Sequence, residues 1–354
     1  MTRGESKSRK ISRREFVKGT AVGAGTLAGA GALASCAPAA APAAGVPDKW
    51  DKEAGVVVVG SGTGLAGALA ASVAGATVIV LEKLPTTGGS TGMSGGGVWI
   101  PNNSVMKAEG IEDSRENALT YLRLIAQGQA DEEVIAAFAD KGPEMIDFVA
   151  ANSPIVWELF DLVGLTMWEY HPEWPGAVPY GRSLMPKAED APFFRGGPLI
   201  QGLLDGCEEN GVEVLLETPA KRLVTRMLPD GTQEVLGVEA ESGGRVLNIK
   251  ANKGVILAAG GYAWNPEMQI HFLRGPARYT LASPGNTGDG ILMAMAVGAD
   301  LRNMNECWGS QFYKEPSEAV YSQGVPGTSS QRGKPGSIMV NRYGERFCNE
   351  AADY

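Results

Sequence analysis

The sequence predicts an α/β protein, a parallel sheet with helices, extended by a β-meander. Three observations predict it. Residues 55–59 and 77–81 are β-branched apolar runs, separated by an alanine-rich helical stretch at 65–73, a β–α–β order. Four short β-rich runs follow later, at 212–216, 222–227, 235–240 and 246–251. Turn signals separate the last three, at Pro229-Asp230-Gly231 and Ser242-Gly243-Gly244. Residues 254–259 read as a buried parallel-type strand that ends at Gly260-Gly261.

The first β–α–β unit carries the most chemistry. Its first strand runs into Gly60-Ser61-Gly62-Thr63-Gly64, and its second ends at Glu82, 22 residues beyond Gly60. Glycines there let a backbone approach a pyrophosphate. The helix behind them offers free N–H groups and a positive dipole end, and the acid can accept from a ribose hydroxyl. This is a dinucleotide-binding arrangement with irregular spacing. Counting from Gly60 puts Leu65 at the sixth position, whereas Gly62-x-Gly64-x-x-Gly67 fits but starts two residues past the strand. The loop reads as one residue shorter than usual.

The elements between follow from local signals. Asp113-Ser114-Arg115-Glu116 has the form of a capping box, opening a helix to about Ala126. Residues 131–139 and 143–150 read as two further helices. Residues 199–207 read as a helix leading into the 212–216 strand, and Asn286-Thr287-Gly288-Asp289-Gly290 opens another to about Val297.

Composition bounds the class. Glycine supplies 48 of 354 residues, nearly twice the usual share of about 7%, and aromatics only 7%. With 44% hydrophobic and 20% charged residues, the chain suits about two domains and a sizeable core. Disordered, coiled-coil and polytopic membrane classes are excluded. Two histidines (His171, His271) and four cysteines without ligand spacing argue against a zinc or iron–sulfur site and a Ser-His-Asp hydrolase. Residues 1–36 carry seven basic and two acidic groups. The remainder carries 24 basic and 38 acidic, net −14, so no nucleic-acid partner is expected.

Residues 1–36 read as an export signal. Ser12-Arg13-Arg14-Glu15-Phe16-Val17-Lys18 matches the twin-arginine motif. The apolar run behind it, 19–35, is too short and glycine-rich for a spanning helix. Leu33-Ala34-Ser35-Cys36 resembles a lipobox, so lipid on Cys36 is expected to anchor the protein to a membrane; cleavage at a nearby Ala-x-Ala site is the alternative. Residues 37–52 form a Pro/Ala tether. The expected location is periplasmic or on the extracytoplasmic face. Twin-arginine export carries folded proteins and suits one that loads a prosthetic group beforehand.

Longer motifs carry a family resemblance. Glu82-Lys83-x-Pro85-x-x-Gly88-Gly89-Ser90-Thr91 is followed by Ser94-Gly95-Gly96-Gly97. Gly254-Val-Ile-Leu-Ala-Ala-Gly260-Gly261, Thr287-Gly288-Asp289-Gly290 and Val340-Asn341-Arg342-x-Gly344-x-Arg346-Phe347-x-Asn349-Glu350 come later. In this order they resemble the FAD-dependent fumarate-reductase/succinate-dehydrogenase flavoprotein superfamily, from about residue 54 to the end. Gly97-Val98-Trp99-Ile100-Pro101-Asn102-Asn103, Tyr170-His171-Pro172-Glu173-x-Pro175-Gly176, Gly181-Arg182-Ser183 and Asn349-Glu350-Ala351-Ala352-Asp353-Tyr354 resemble its 3-ketosteroid delta-1-dehydrogenase branch.

The resemblance implies a Rossmann-like FAD-binding domain over 53–303 and the beginning of an α+β substrate-capping domain over 304–354. It implies FAD held by Gly60, Ser61, Gly62, Gly64, Glu82, Lys83, Gly88, Gly89, Ser90, Thr91, Ser94, Gly95, Gly96, Ala220, Ala259, Gly260 and Asp289. Arg346 and Glu350 would steady the loop entering the site. Tyr354 is the candidate base and Tyr170 a supporting pocket tyrosine. Trp99, Trp168, Trp174 and Trp308 are candidates for a pocket wall, though each suits a core as well. The implied substrate is a small molecule, a ketosteroid or another enone. The implied reaction removes a proton α and a hydride β to a carbonyl, with a membrane carrier as the expected electron partner. A fumarate- or urocanate-type reductase is the alternative. Against it, residues 289–354 hold no histidine and no arginine follows Glu350. Because the last motif stops at Tyr354, the chain is expected to be a C-terminally truncated fragment, lacking the return segment of the FAD domain. A fragment of that kind can be inert.

Overall fold

Strand β1 (Lys52–Val59) shows why the sheet has two cores. Its side chains alternate in direction. Val58 faces helix α1 (Gly64–Val73), where Leu65, Ala68 and Leu69 are buried. Val57 and Val59 face the opposite side. The structure, a computed structural model, describes residues 45–161, 169–190, 195–275, 277, 279–307, 317 and 338–349. All lie in the second of two units, 45–354.

After α1 comes β2 (Val78–Leu81), buried along its whole length, then one turn of helix, α2 (Gly89–Gly92). Next are β3 (Val98–Trp99), α3 (Ser104–Ala108), α4 (Arg115–Ala126) and α5 (Glu132–Asn152). β4 (Trp157–Leu159) and β5 (Ser183–Pro186) complete a small antiparallel sheet, ordered β3–β5–β4. Then follow α6 (Gly196–Glu209), β6 (Glu213–Leu215), β7 (Ala220–Met227), β8 (Gln233–Ser242), β9 (Arg245–Leu257), α7 (Pro266–Phe272) and α8 (Asp289–Ala296).

The main sheet is ordered β6–β2–β1–β9–β8–β7. The β6–β2, β2–β1 and β1–β9 pairs are parallel; β9–β8 and β8–β7 are antiparallel. This is the expected parallel sheet plus meander. One core joins α1, α5, α6 and the small sheet to one face. The other joins the meander and Met293 of α8 to the opposite face. Among the described residues, no helix is long and apolar enough to cross a membrane, and no metal-ligand cluster forms.

Three local expectations change. The two runs at 246–251 and 254–259 form one strand, β9, because β1 begins at Lys52 rather than Gly55 and pairs with it throughout, across a bulge between Ala54 and Val56. Pro143 lies inside α5 rather than dividing two helices. Ile135, Ala139, Ile146 and Val149 bury one continuous face across it, which offsets the missing backbone bond. Ser114, not Asp113, caps α4 by accepting from the Asn117 N–H at 3.1 Å.

Asp113 has another task. Its carboxylate takes a two-pronged contact from Arg182, at 2.8 and 2.9 Å, and accepts from the Asn102 N–H. Arg182 is only 1% exposed, reaches Glu169 at 3.5 Å and the Gly176 carbonyl at 2.7 Å, and lies over the rings of Trp99 and Tyr121. Glu169 also accepts from the Trp99 indole N–H. Tyr121 is buried and accepts from the His171 N–H; burial pushes its phenol up to about 12, so it stays neutral. One guanidinium thus pins the 169–181 loop to the start of α4 and to β3. Arg182→Met leaves two buried carboxylates without their cation and is expected to cost about 3–5 kcal/mol, read as a lowered denaturation midpoint.

Candidate cofactor site

The cleft lies at the C-terminal ends of β1, β2 and β9, where their loops diverge. Val59, Gly60, Ser61, Gly62 and Thr63 form its floor with Ala258, Ala259 and Gly260. Glu82, Lys83 and Leu84 flank one side, Gly88 to Thr91 another, and Ser283, Gly285, Asn286 and Asp289 close it.

Gly60 has φ +102°, and a Cβ there would collide with the Ala258 carbonyl, so the turn after β1 needs glycine. Gly60 N–H donates to the Leu81 carbonyl at 2.8 Å, binding the loop to the end of β2. The next residue, Ser61, is fully buried. Its N–H and hydroxyl both donate to Glu82 Oε2, at 3.1 and 2.6 Å, and its hydroxyl accepts from the Gly88 N–H at 3.0 Å. Glu82 Oε1 accepts from the Leu84 N–H at 2.8 Å.

The polar contacts continue around the rim. Ser90 Oγ accepts from the Ser283 N–H at 2.9 Å and from Asn286 Nδ2 at 3.1 Å. Thr287 Oγ1 donates to Asp289 Oδ1, and Lys83 Nζ meets Thr287 Oγ1 and Asp289 Oδ2, each at 2.7 Å. Lys83 adjoins Glu82, so the circuit closes. It joins segments about 200 residues apart in sequence and surrounds the cleft.

Its electrostatics fit a bound pyrophosphate through the backbone. The lining has two carboxylates, Glu82 and Asp289, and one ammonium, Lys83, which is already paired. Helix α1 has no acid in its first turn. Among the described residues, no acceptor meets the N–H of Gly62 or Thr63. Those amides and the helix dipole are the groups available to phosphate. Gly62 brings the loop close to the α2 turn: a Cβ there would stand 3.1 Å from Thr91 Oγ1 and 3.2 Å from the Gly88 carbonyl.

Most expected cofactor residues come together here: Gly60, Ser61, Gly62, Glu82, Lys83, Gly88, Gly89, Ser90, Thr91, Ala220, Ala259, Gly260 and Asp289 line the cleft. Four do not. Gly64 lets α1 approach the sheet, since a Cβ there would lie 2.9 Å from Val58 Cγ1. Ser94, Gly95 and Gly96 form the bend behind the cleft. Ser94 Oγ donates to the Thr91 carbonyl at 2.7 Å, Gly95 accepts from the Arg195 N–H at 3.2 Å, and Gly96 has φ +72°. Ser283 and Asn286, which are not among the residues expected from the sequence, supply two of the rim's contacts. The Asn286-Thr287-Gly288-Asp289 turn was the available signal.

Of the two catalytic candidates, Tyr170 is the one among the described residues, and it does not join this cleft. Tyr170 is 60% exposed and outside its lining. Tyr354, Glu350, Trp168 and Trp308 lie outside the described residues. Trp99 packs in parallel with Tyr121 and Phe138, and Trp174 lies flat on His171 at 3.7 Å, so both belong to the aromatic pack around Arg182.

Strand order, crossover helix and cleft define a dinucleotide-binding α/β domain of the flavoprotein kind. The family model for the FAD-binding domain matches residues 55–354, and the chain belongs to that family. It is 34% identical to the 3-oxosteroid 1-dehydrogenase of Mycolicibacterium smegmatis, over 86% of this chain and 63% of that protein. It is 32% identical to the 4-oxocyclohexanecarboxylate 2-dehydrogenase of Sinomonas cyclohexanicum, over 84% of this chain and 59% of that protein. The structure resembles that of 3-ketosteroid delta1-dehydrogenase from Sterolibacterium denitrificans in complex with 1,4-androstadiene-3,17-dione. The TM-score is 0.74 and the identity 28%, covering 86% of this chain and 64% of that one. The chain therefore spans about three-fifths of the length of these relatives. FAD is the cofactor of this family, and the unpaired amides at the α1 N-terminus fit it.

Because Lys83 neutralises Asp289 inside the cleft, removing its charge leaves a bare carboxylate facing an anionic cofactor. Lys83→Met is expected to raise the FAD Kd about tenfold, one unit charge at this range being worth roughly 1 kcal/mol or more. Adding Asp289→Asn is expected to recover most of that loss, in a flavin-fluorescence titration.

Proposed function

We propose that this chain provides the FAD-binding part of an oxidoreductase that acts on a CH–CH bond beside a ring ketone, with a 3-ketosteroid or smaller cyclic enone as substrate. The carrying observation is the likeness, over more than four-fifths of the chain, to two dehydrogenases whose names both specify a ring ketone. When bound, FAD supplies a two-electron, hydride-accepting ring system.

The chain's own residues then have defined tasks. The amides of Gly62 and Thr63 hold phosphate, and the rim circuit fixes the cofactor's place. In this reading the Tyr354 phenolic oxygen takes the proton α to the carbonyl. A phenol with an ordinary value near 10 needs activation by its surroundings or by substrate polarisation. Tyr170 supports it. The export reading accompanies this one: twin-arginine passage with FAD already loaded, lipid on Cys36, and electrons exchanged with a membrane carrier. Residues 53–303 form the cofactor domain in this scheme, and 304–354 begin the substrate cap.

The test is turnover by the full-length protein with a dye as electron acceptor. A 3-ketosteroid is expected to be dehydrogenated, and Tyr354→Phe to lower kcat about 100-fold or more with flavin content unchanged. Turnover of fumarate- or urocanate-type acids without any of ring ketones would overturn the proposal in favour of an unsaturated-acid reductase.

A further inference from the structure

We infer that the Ser61 hydroxyl is a positioning group for the cofactor cleft: it acts through Glu82 and Gly88 and sets their spacing before FAD arrives. This rests on the FAD reading of the cleft and assigns one side chain a separate task within it.

The geometry is specific. A serine hydroxyl has one proton to give and lone pairs to receive with. Ser61 gives its proton to Glu82 Oε2 at 2.6 Å and receives the Gly88 N–H at 3.0 Å. With both roles used and the residue fully buried, the side chain serves the protein rather than the ligand. Its two partners come from different segments. Glu82 ends β2 and is only 6% exposed, and Gly88 is the left-handed residue, φ +105°, that starts α2. Alanine at 61 would keep the backbone N–H contact to Glu82 but remove the link to Gly88. A buried amide would then have no acceptor, and the carboxylate would be free to turn. The turn carrying Gly88, Gly89 and Ser90 would lose its tie to the floor of the cleft. Ser90's contacts to Ser283 and Asn286 on the far side would remain, as would the packing of Gly88 and Gly92 beside Ile200 of α6.

A group that acts through both Glu82 and Gly88 must lose the Glu82 share of its effect when Glu82 is gone, whereas one that merely fills space keeps all of it. The experiment is a double-mutant cycle in the full-length protein: wild type, Ser61→Ala, Glu82→Ala and the double variant. FAD Kd is read by flavin-fluorescence titration of deflavinated protein, and thermal midpoint is read alongside. Ser61→Ala is expected to raise the FAD Kd at least about tenfold, on the scale of one buried hydrogen bond left unmade. In the Glu82→Ala background, where only the Gly88 link is left to lose, the same change is expected to have a factor at least about threefold smaller. Equal factors in both backgrounds would overturn the inference, as would an unchanged Kd for Ser61→Ala. Should Ser61→Ala fail to fold, Ser61→Cys keeps the volume with a weaker donor, and the same comparison across the two backgrounds decides. Failure of wild type to bind FAD would instead remove the cofactor reading itself, and is visible before any variant is made.

Discussion

A carboxylate buried at the end of a strand has to be met by donors, and the cleft is organised around meeting Glu82. Ser61 supplies an N–H and a hydroxyl, and Leu84 supplies a third donor. Satisfying those lone pairs draws the Gly60 loop against β2 and the Gly88 turn against the loop. Unpaired, the same carboxylate would cost several kcal/mol on transfer from water. The need to satisfy one acid therefore sets the spacing of three segments that flank the cofactor.

The scaffold around it is rigid for different reasons. The α1 and α6 core and the meander core grip the two faces of one sheet, so the ends of β1, β2 and β9 diverge at a fixed place. Among the described residues, the hydrogen bonds that join the far wall, 283–289, to the near one run through side chains, Ser90 with Ser283 and Asn286, and Lys83 with Thr287 and Asp289. The Arg182 knot is a second buried polar centre. It fixes the 169–181 loop and the aromatic pack of Trp99, Tyr121 and Trp174. In the proposed enzyme, cofactor placement and loop placement thus rest on two separate ionic centres.

Much of this was legible in the sequence because short-range chemistry produces it. The Gly60 turn, the alanine-rich α1 and the acid at 82 lie within one β–α–β unit, and the meander announced itself through glycine turns. The local misreadings, at Asp113 and Pro143, share a cause. Asp113 and Ser114 are both good caps, and only the distant Arg182 decides between them. Pro143 is a breaker in isolation, and only the apolar face packed across it keeps α5 whole. Gly64, Ser94, Gly95 and Gly96 sit in a glycine-rich motif whose members divide between lining the cleft and shaping the backbone behind it, a division that three-dimensional proximity makes. Ser283 and Asn286 were missed because their partner, Ser90, is about 200 residues away.

The central claim is that the chain itself holds the cleft open and in register. Amide hydrogen exchange on the flavin-free protein tests this most directly. The account predicts that the Gly88 and Ser283 N–H groups, which donate to Ser61 and Ser90, exchange far more slowly than the amides of exposed turns before any FAD is added. Exchange at the rate of an open loop, slowing only when FAD binds, would contradict it and would mean that the cofactor builds its own site.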